Sequence, residues 1–413
     1  MTKRQLLIFG INYAPEPTGI ALNTTGLAEG LVRRGWGVTM VSGIPHYPSW
    51  TPGTAPRKES RNGVHIERYP HYVPPRQTAL RRGLYEASWM ASASRTLVRR
   101  RSVDVVLGVS PSLGGAALAS LAGVRYGAPL CLLVQDLVGK AAVQSGMPGG
   151  SAVAGGVGLV ERRIARSASA IVVVANGFTD YFTAAGIPAA KIHWIGNPAR
   201  LRPATRDRTE TRQRLGWSAD DFVVLHTGSM GLKQDLDVVL VAADTLRGSQ
   251  SVRFVLQGDG SQRGRLVVEA RRRGLDNVQF LPLVPDDEYA NVLTAADLLL
   301  LNQKATVSNM SMPAKLGTYF AAGRPVLAAV ATADETAREI ARSGGGVVIE
   351  PGNAAGLAEA ITALRARPAE REVMGAAGRR FAQSHLRDES TVSAFETVLD
   401  GVTTSRKPDP SRI

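Results

Sequence analysis

Short apolar runs alternate with stretches of helical period along most of this chain. Leu6–Phe9 predicts a first strand, followed by the loop Gly10–Ile20 and a helix around Asn23–Arg34. Gly35 closes that helix, and Gly37–Ser42 predicts the next strand. Val103–Val109, Leu130–Val134 and Ile171–Ala175 read as further buried strands, with the Ala-rich helix Ala116–Tyr126 between the first two. Strands alternating with helices imply a parallel sheet flanked by helices. Pro45–Pro75 breaks the pattern with seven prolines and three tyrosines, and predicts a long, mostly irregular excursion from the sheet.

Beyond the polar connector IGNPARLRPATRDR the alternation restarts. Strands are expected at Phe222–His226, Arg253–Gln257, Val278–Phe280, Leu298–Asn302, Val326–Ala329 and Val347–Ile349. Helices are expected at Asp235–Leu246, Arg263–Arg273, Asp286–Ala296, Ala314–Ala322 and Ala354–Arg365. The pattern therefore predicts an α/β chain of two doubly wound, Rossmann-like domains facing a central cleft. Their expected limits are residues 1–197 and 198–385, with a C-terminal helix and tail, 386–413, crossing back to the first domain. A length of 413 residues and an apolar content of 44% suit two such cores.

Charge changes the picture when it is divided. Residues 1–200 carry 22 Lys and Arg against 9 Asp and Glu, and residues 201–413 carry 27 against 26, so the first half holds nearly all of the net +14. That half is expected to meet something anionic: a membrane surface, a phosphorylated acceptor or nucleic acid. Segment Arg76–Arg101 reads as an amphipathic basic helix. Its stripe is Leu80, Leu84, Ala87, Ala91 and Val98, its flanks are Arg81, Arg82, Arg95, Arg99, Arg100 and Arg101, and Tyr85 and Trp89 serve as interfacial aromatics. Packing of that stripe on the sheet is the competing expectation. The N-terminus shows no secretion signal pattern, no run reaches the roughly 20 apolar residues of a membrane span, and the lone Cys131 allows no internal disulfide. A cytoplasmic protein is expected, and the inner face of the cell membrane is a possible station for it.

The candidate chemistry is for phosphate. Three strand-to-helix turns carry glycines: GINYAPEPTG ending at Gly19, GSMGLK with Gly228, Ser229, Gly231 and Lys233, and QGDG with Gly258. Glycines let backbone N–H groups converge, a following helix N-terminus favours negative charge, and a lysine supplies a point charge. None of the turns is a dinucleotide or Walker fingerprint. No His, Cys and Asp grouping has metal-ligand spacing, and no Ser–His–Asp pattern supports a hydrolytic nucleophile. Nucleic-acid binding is not expected, because no helix-turn-helix or aromatic RNA platform is visible.

NYAPEPTGIA, VQDLV, GSMGLKQDLD and MPAKLGTYFAAGRPV together resemble the retaining glycosyltransferase family 4, and particularly its colanic-acid-type exopolysaccharide enzymes. The resemblance covers nearly the whole chain and implies the two-domain GT-B fold. It implies a nucleoside diphosphate sugar donor on the C-terminal domain, an acceptor on the N-terminal one, and no metal or other cofactor. Gly19, Lys233 and the Gly228–Gly231 turn would then meet the donor diphosphate. The helix beginning near Pro313, with Lys315, Leu316 and Thr318, would point at the same phosphates, and Leu283 would lie where the family's backbone holds the base. Gln135 falls where many members have a histidine near the donor sugar, and Asp136 follows it. The chain departs from the family at Met310 and Thr318, which replace a Glu pair, and at Ser229, which replaces an Arg.

The reaction so implied is glycosyl transfer with retention, to a lipid-linked sugar or a small-molecule acceptor, in extracellular polysaccharide or glycoconjugate biosynthesis. A nucleotide-sugar epimerase of the same fold and a non-catalytic nucleotide-sugar binding protein are the alternatives.

Overall fold

A computed structural model describes residues 3–47, 49–75, 78–138, 150–248, 251–306 and 314–404. The chain divides into two compact units, residues 1–198 with 388–413, and residues 199–387. Each is built on one sheet.

In the first unit the described strands are β1 (Gln5–Phe9), β2 (Gly37–Gly43), β3 (Lys58–Arg61), β4 (Val64–Tyr69), β5 (Val105–Ser110), β6 (Leu130–Val134), β7 (Ala170–Val173) and β8 (Ile192–Trp194). They lie in the order β3-β4-β2-β1-β5-β6-β7-β8, parallel except for the β3–β4 pair. Winding reverses between β1 and β5, the kind of position at which doubly wound sheets place their ligand crevice. The strands are near-continuous apolar runs because both faces are covered; β6, LCLLV, is buried at every position. Burial on β6 pushes the Cys131 thiol up to about 12.

The Pro-rich stretch corrects the sequence expectation. Residues 49–57 and 70–75 are irregular as expected, but between them β3 and β4 form a hairpin closed by Asn62-Gly63, both at positive φ, and β4 pairs in parallel with β2, so the stretch rejoins the sheet. Asn-Gly is the residue pair that a tight hairpin turn demands, so the signal was present and was outweighed by the prolines around it.

The second unit holds β9 (Phe222–Ser229), β10 (Val252–Asp259), β11 (Val278–Leu281), β12 (Leu298–Asn302), β13 (Val326–Ala329) and β14 (Gly346–Ile349), in the all-parallel order β11-β10-β9-β12-β13-β14. The reversal falls between β9 and β12. The C-terminal part of the chain forms two helices, Pro368–His385 and Asp388–Thr404. The second belongs to the first unit: Val392, Phe395 and Leu399 are buried, and Glu396 accepts hydrogen bonds from Arg34 Nε at 2.5 Å and Trp36 Nε1 at 3.0 Å. That helix carries four carboxylates and no base, so by unit the charges are 24 basic against 14 acidic and 25 against 21. The basic excess of the first unit, +10 against +4, is smaller than the halves of the chain imply.

Candidate active site

In the second unit the sequence-predicted residues gather at the carboxyl ends of β9 and β10, beside the reversal point. His226 and Thr227 close the buried part of β9, and Gly228 turns the chain at φ +101°. Gly258 pairs in register with Gly228, and a Cβ there would lie 1.9 Å from the Gly228 carbonyl oxygen. Only glycine permits this approach, so Gly258 sets the contact between two neighbouring turns. The turns are tied further by the Met230 N–H, which donates to the Asp259 carbonyl at 2.8 Å. The Gly231 N–H donates to Gln234 Oε1 at 3.0 Å. Two amides expected to face a diphosphate are therefore already engaged within the protein.

Lys233 sits on the exposed single turn Leu232–Gln234, and its ammonium makes no hydrogen bond or ion pair with any described residue. Its backbone is held firmly. The Lys233 carbonyl accepts from the Lys304 N–H at 2.9 Å, and Asn302 Nδ2 donates to the carbonyls of Gln234 and Asp235, each at 2.8 Å. Asn302 closes β12, so the switch-point strand positions the turn that carries the lysine. Sequence reading passed over Asn302, although a polar residue ending the run LLLLN at a buried strand end was the available signal.

Lys315, in the first turn of the helix Ala314–Ala322, reaches back to the same place: Nζ donates to the Thr227 carbonyl at 2.9 Å. Burial pulls its pKa down to about 7. Burial, and then the Lys315 charge, hold His226 well below the ordinary imidazole value, so this histidine is neutral. Thr227 is fixed by two tyrosines that sequence reading also missed. Its N–H donates to Tyr319 Oη at 3.0 Å, and its Oγ1 lies 2.8 Å from Tyr289 Oη. Leu316 and Thr318 are buried in the same helix, Leu316 at 1% exposure, so Leu316 packs inward. Leu283, past the end of β11, is 66% exposed and presents an apolar surface, and Ser229 is exposed. Pro313 and Met310 lie outside the described residues.

In the first unit, Gly19 opens the helix Gly19–Arg33 behind the cap Thr18, whose Oγ1 accepts from the Ala21 N–H. Nothing lies within 4 Å of where a Gly19 side chain would begin, so the space before this helix is open. Gln135, at the end of β6, is buried. Its Nε2 donates to Thr24 Oγ1 at 3.3 Å and its Oε1 accepts from Asn23 at 3.4 Å, which ties the strand to that helix. The Asp136 carbonyl accepts from Ser110 Oγ at 3.0 Å.

Beside them is a cluster no motif announced. Buried Glu16 accepts from the N–H groups of His46 and Tyr47 at 2.8 and 3.1 Å, joining the loops after β1 and β2. His46, Tyr47, Trp50 and Tyr85 form ring contacts of 4.9–5.8 Å, and the Arg82 guanidinium lies 4.6 Å over Tyr85. Among the described residues no group of three His, Cys, Asp or Glu is arranged to hold a metal ion.

Two parallel α/β units, with Gly-rich turns and lysines at a switch point, are the architecture of GT-B glycosyltransferases. Residues 18–198 match the glycosyl transferase 4-like domain and residues 207–381 match glycosyl transferases group 1. The chain belongs to glycosyltransferase family 4. It is 30% identical over 336 residues to an Escherichia coli (strain K12) protein that carries the name colanic acid biosynthesis glycosyl transferase WcaI, a match spanning 77% of this chain and 81% of that one. Its fold is similar to that of sucrose-phosphate synthase from Thermosynechococcus elongatus (TM-score 0.77, 16% identity, 98% of this chain and 100% of that one). It is also similar to that of Anabaena HepE, solved in complex with UDP (TM-score 0.70, 18% identity, 97% and 100%).

Proposed function

We propose that this glycosyltransferase moves a sugar from a nucleoside diphosphate sugar to its acceptor with retention of anomeric configuration, in extracellular polysaccharide or glycoconjugate biosynthesis. The observation that carries the reading is the placement, at the carboxyl end of β9, of both the Lys233 turn, whose ammonium is unpaired among the described residues, and the tethered Lys315. As the bond from sugar to phosphate lengthens, negative charge grows on the leaving diphosphate. The two ammonium groups and the first turn of the helix Ala314–Ala322 stabilise that charge more in the transition state than in the ground state. Neutral Thr318 and Ser229 leave these cations as the main counter-charge in this chain. The leaving phosphate accepts the proton of the incoming hydroxyl, so neither a protein nucleophile nor a bound metal is called on. Leu283 gives the base an apolar rest, and Tyr47 and Trp50, the accessible edge of the aromatic cluster, give the acceptor an aromatic wall.

A lipid-linked acceptor at the inner face of the cell membrane suits the helix Ala79–Ala93. Its buried face is Tyr85, Trp89 and Ala93, which corrects the reading of Tyr85 and Trp89 as interfacial aromatics. The stripe read from the sequence points outward instead, with Leu80 76%, Leu84 52% and Val98 82% exposed. Arg82, Arg99 and Arg101 are occupied by the aromatic cluster and Glu67, which leaves Arg81, Arg95 and Arg100 for anionic headgroups, each contributing about 1 kcal/mol. Among the described residues no helix is long and apolar enough to cross a membrane.

The test is a metal-free screen of the purified protein against UDP-, GDP- and dTDP-sugars by thermal shift, followed by NMR of the anomeric product. One base raising the melting temperature by several degrees, and a product that keeps the donor's configuration, is the expected result. Inverted product refutes retention; no shift with any donor in a folded sample refutes the donor assignment.

A further inference from the structure

A second cationic site lies at the other end of the second sheet. Cavity walls come from Asp297, just before β12, from Arg324 just before β13, and from one face of the helix Pro368–His385. Because the strands are parallel, this is the amino end of the sheet, opposite the turns that carry Lys233. The cavity holds about 360 Å³ and is lined by five arginines, Arg208, Arg324, Arg371, Arg379 and Arg380.

The counter-charge is insufficient. Asp297 is taken up by Arg208, by Arg212 at 3.2 Å and by the Val223 N–H at 2.8 Å. Glu372 is the other carboxylate in the lining. Among the described residues Arg324, Arg371, Arg379 and Arg380 form no ion pair. Arg324 Nε donates to the Thr294 carbonyl at 2.9 Å, Arg371 Nη1 to the Arg365 carbonyl at 2.8 Å, and Arg379 Nη2 to the Ala322 carbonyl at 3.0 Å. The Arg380 side chain makes no hydrogen bond to a described residue. A guanidinium has five N–H donors, so most of this donor set has no acceptor among the described residues. Burial, followed by the charges of Arg208, Arg379 and Arg212, brings Arg324 down to about 10. Like charges confined in one concavity are stabilised when a polyanion binds between them.

We infer that this cavity is a binding site for a small phosphomonoester of sugar-phosphate size, separate from the donor site. Guanidinium forks match phosphate oxygens two at a time, and a phosphomonoester dianion offsets most of the lining's surplus charge. The volume exceeds what inorganic phosphate fills and falls in the range of small-molecule pockets. The helix Ala314–Ala322 joins the two sites. Arg379 holds its last carbonyl at the cavity, and its first turn carries Lys315 at the opposite end of the sheet.

Isothermal titration of the full chain with glucose 6-phosphate, inorganic phosphate and glucose, at matched ionic strength, tests this. Glucose 6-phosphate is expected to bind saturably, more tightly than inorganic phosphate, with glucose silent. Arg380→Gln breaks no hydrogen bond within the described protein, so it should fold and weaken binding about tenfold; Arg379→Gln should do the same. Lys233→Ala should leave the binding unchanged. No saturable binding at matched ionic strength overturns the inference. So does binding that survives both arginine variants, or that disappears in Lys233→Ala, since the phosphate would then be in the donor site.

Discussion

At the scale of single residues, the site depends on two lysines in unlike settings. Lys233 is exposed and unpaired among the described residues, so it contributes little to the folded state and its charge is available to a ligand. Lys233→Ala is expected to lower kcat/KM by about 10²–10³-fold, as loss of a preorganised electrostatic contact does, while shifting stability by no more than about 0.5 kcal/mol. Steady-state kinetics and urea denaturation check the two halves of that expectation. Lys315 is half-buried with its pKa lowered to about 7, against an unfolded value near 10.4. Between those values the unfolded chain binds the proton and the folded chain does not, so stability should rise with pH from about 7 to about 10. Lys315→Met should flatten that rise in melting curves across the range. A donor diphosphate beside Lys315 favours the charged form. Donor binding at pH 8 should therefore take up protons, seen as an enthalpy that changes with the ionisation heat of the buffer.

Elements show where local pattern stops being informative. The helix Ala79–Ala93 is apolar on two faces, and periodicity alone does not say which one meets the sheet. Burial selects Tyr85 and Trp89, whose rings remove more apolar area from water than the leucine stripe would. Trp89→Ala should therefore cost about 3–5 kcal/mol in urea denaturation. Leu80→Ser with Leu84→Ser should leave the melting temperature within a degree or two and reduce flotation with anionic liposomes. Equal flotation of that variant and the parent protein would remove the helix from the membrane proposal. The β3–β4 hairpin makes the same point from the other side. Its Asn62-Gly63 turn was legible, yet a prolines-first reading hid two strands that extend the sheet.

Across the whole molecule, the Asp388–Thr404 helix is the last element in the sequence and part of the first unit. Removing residues 388–413 exposes the surface that Val392, Phe395 and Leu399 cover and leaves Arg34 and Trp36 without Glu396. The loss should be on the order of 5 kcal/mol for the first unit. In urea the truncated chain should show an early transition for that unit and an unchanged one for residues 199–387. The sequence by itself determined the alternation of strands and helices, the two parallel sheets and the Gly-rich turns with Lys233, because periodicity, glycine conformation and strand burial are local properties. Tertiary structure alone decided that Asn302 holds the Lys233 turn, that Lys315 reaches Thr227, and that Glu16 joins two loops. It alone brought arginines from positions 208 to 380 around one cavity. Those arrangements depend on which strands become neighbours at each reversal point, and no local pattern encodes that order.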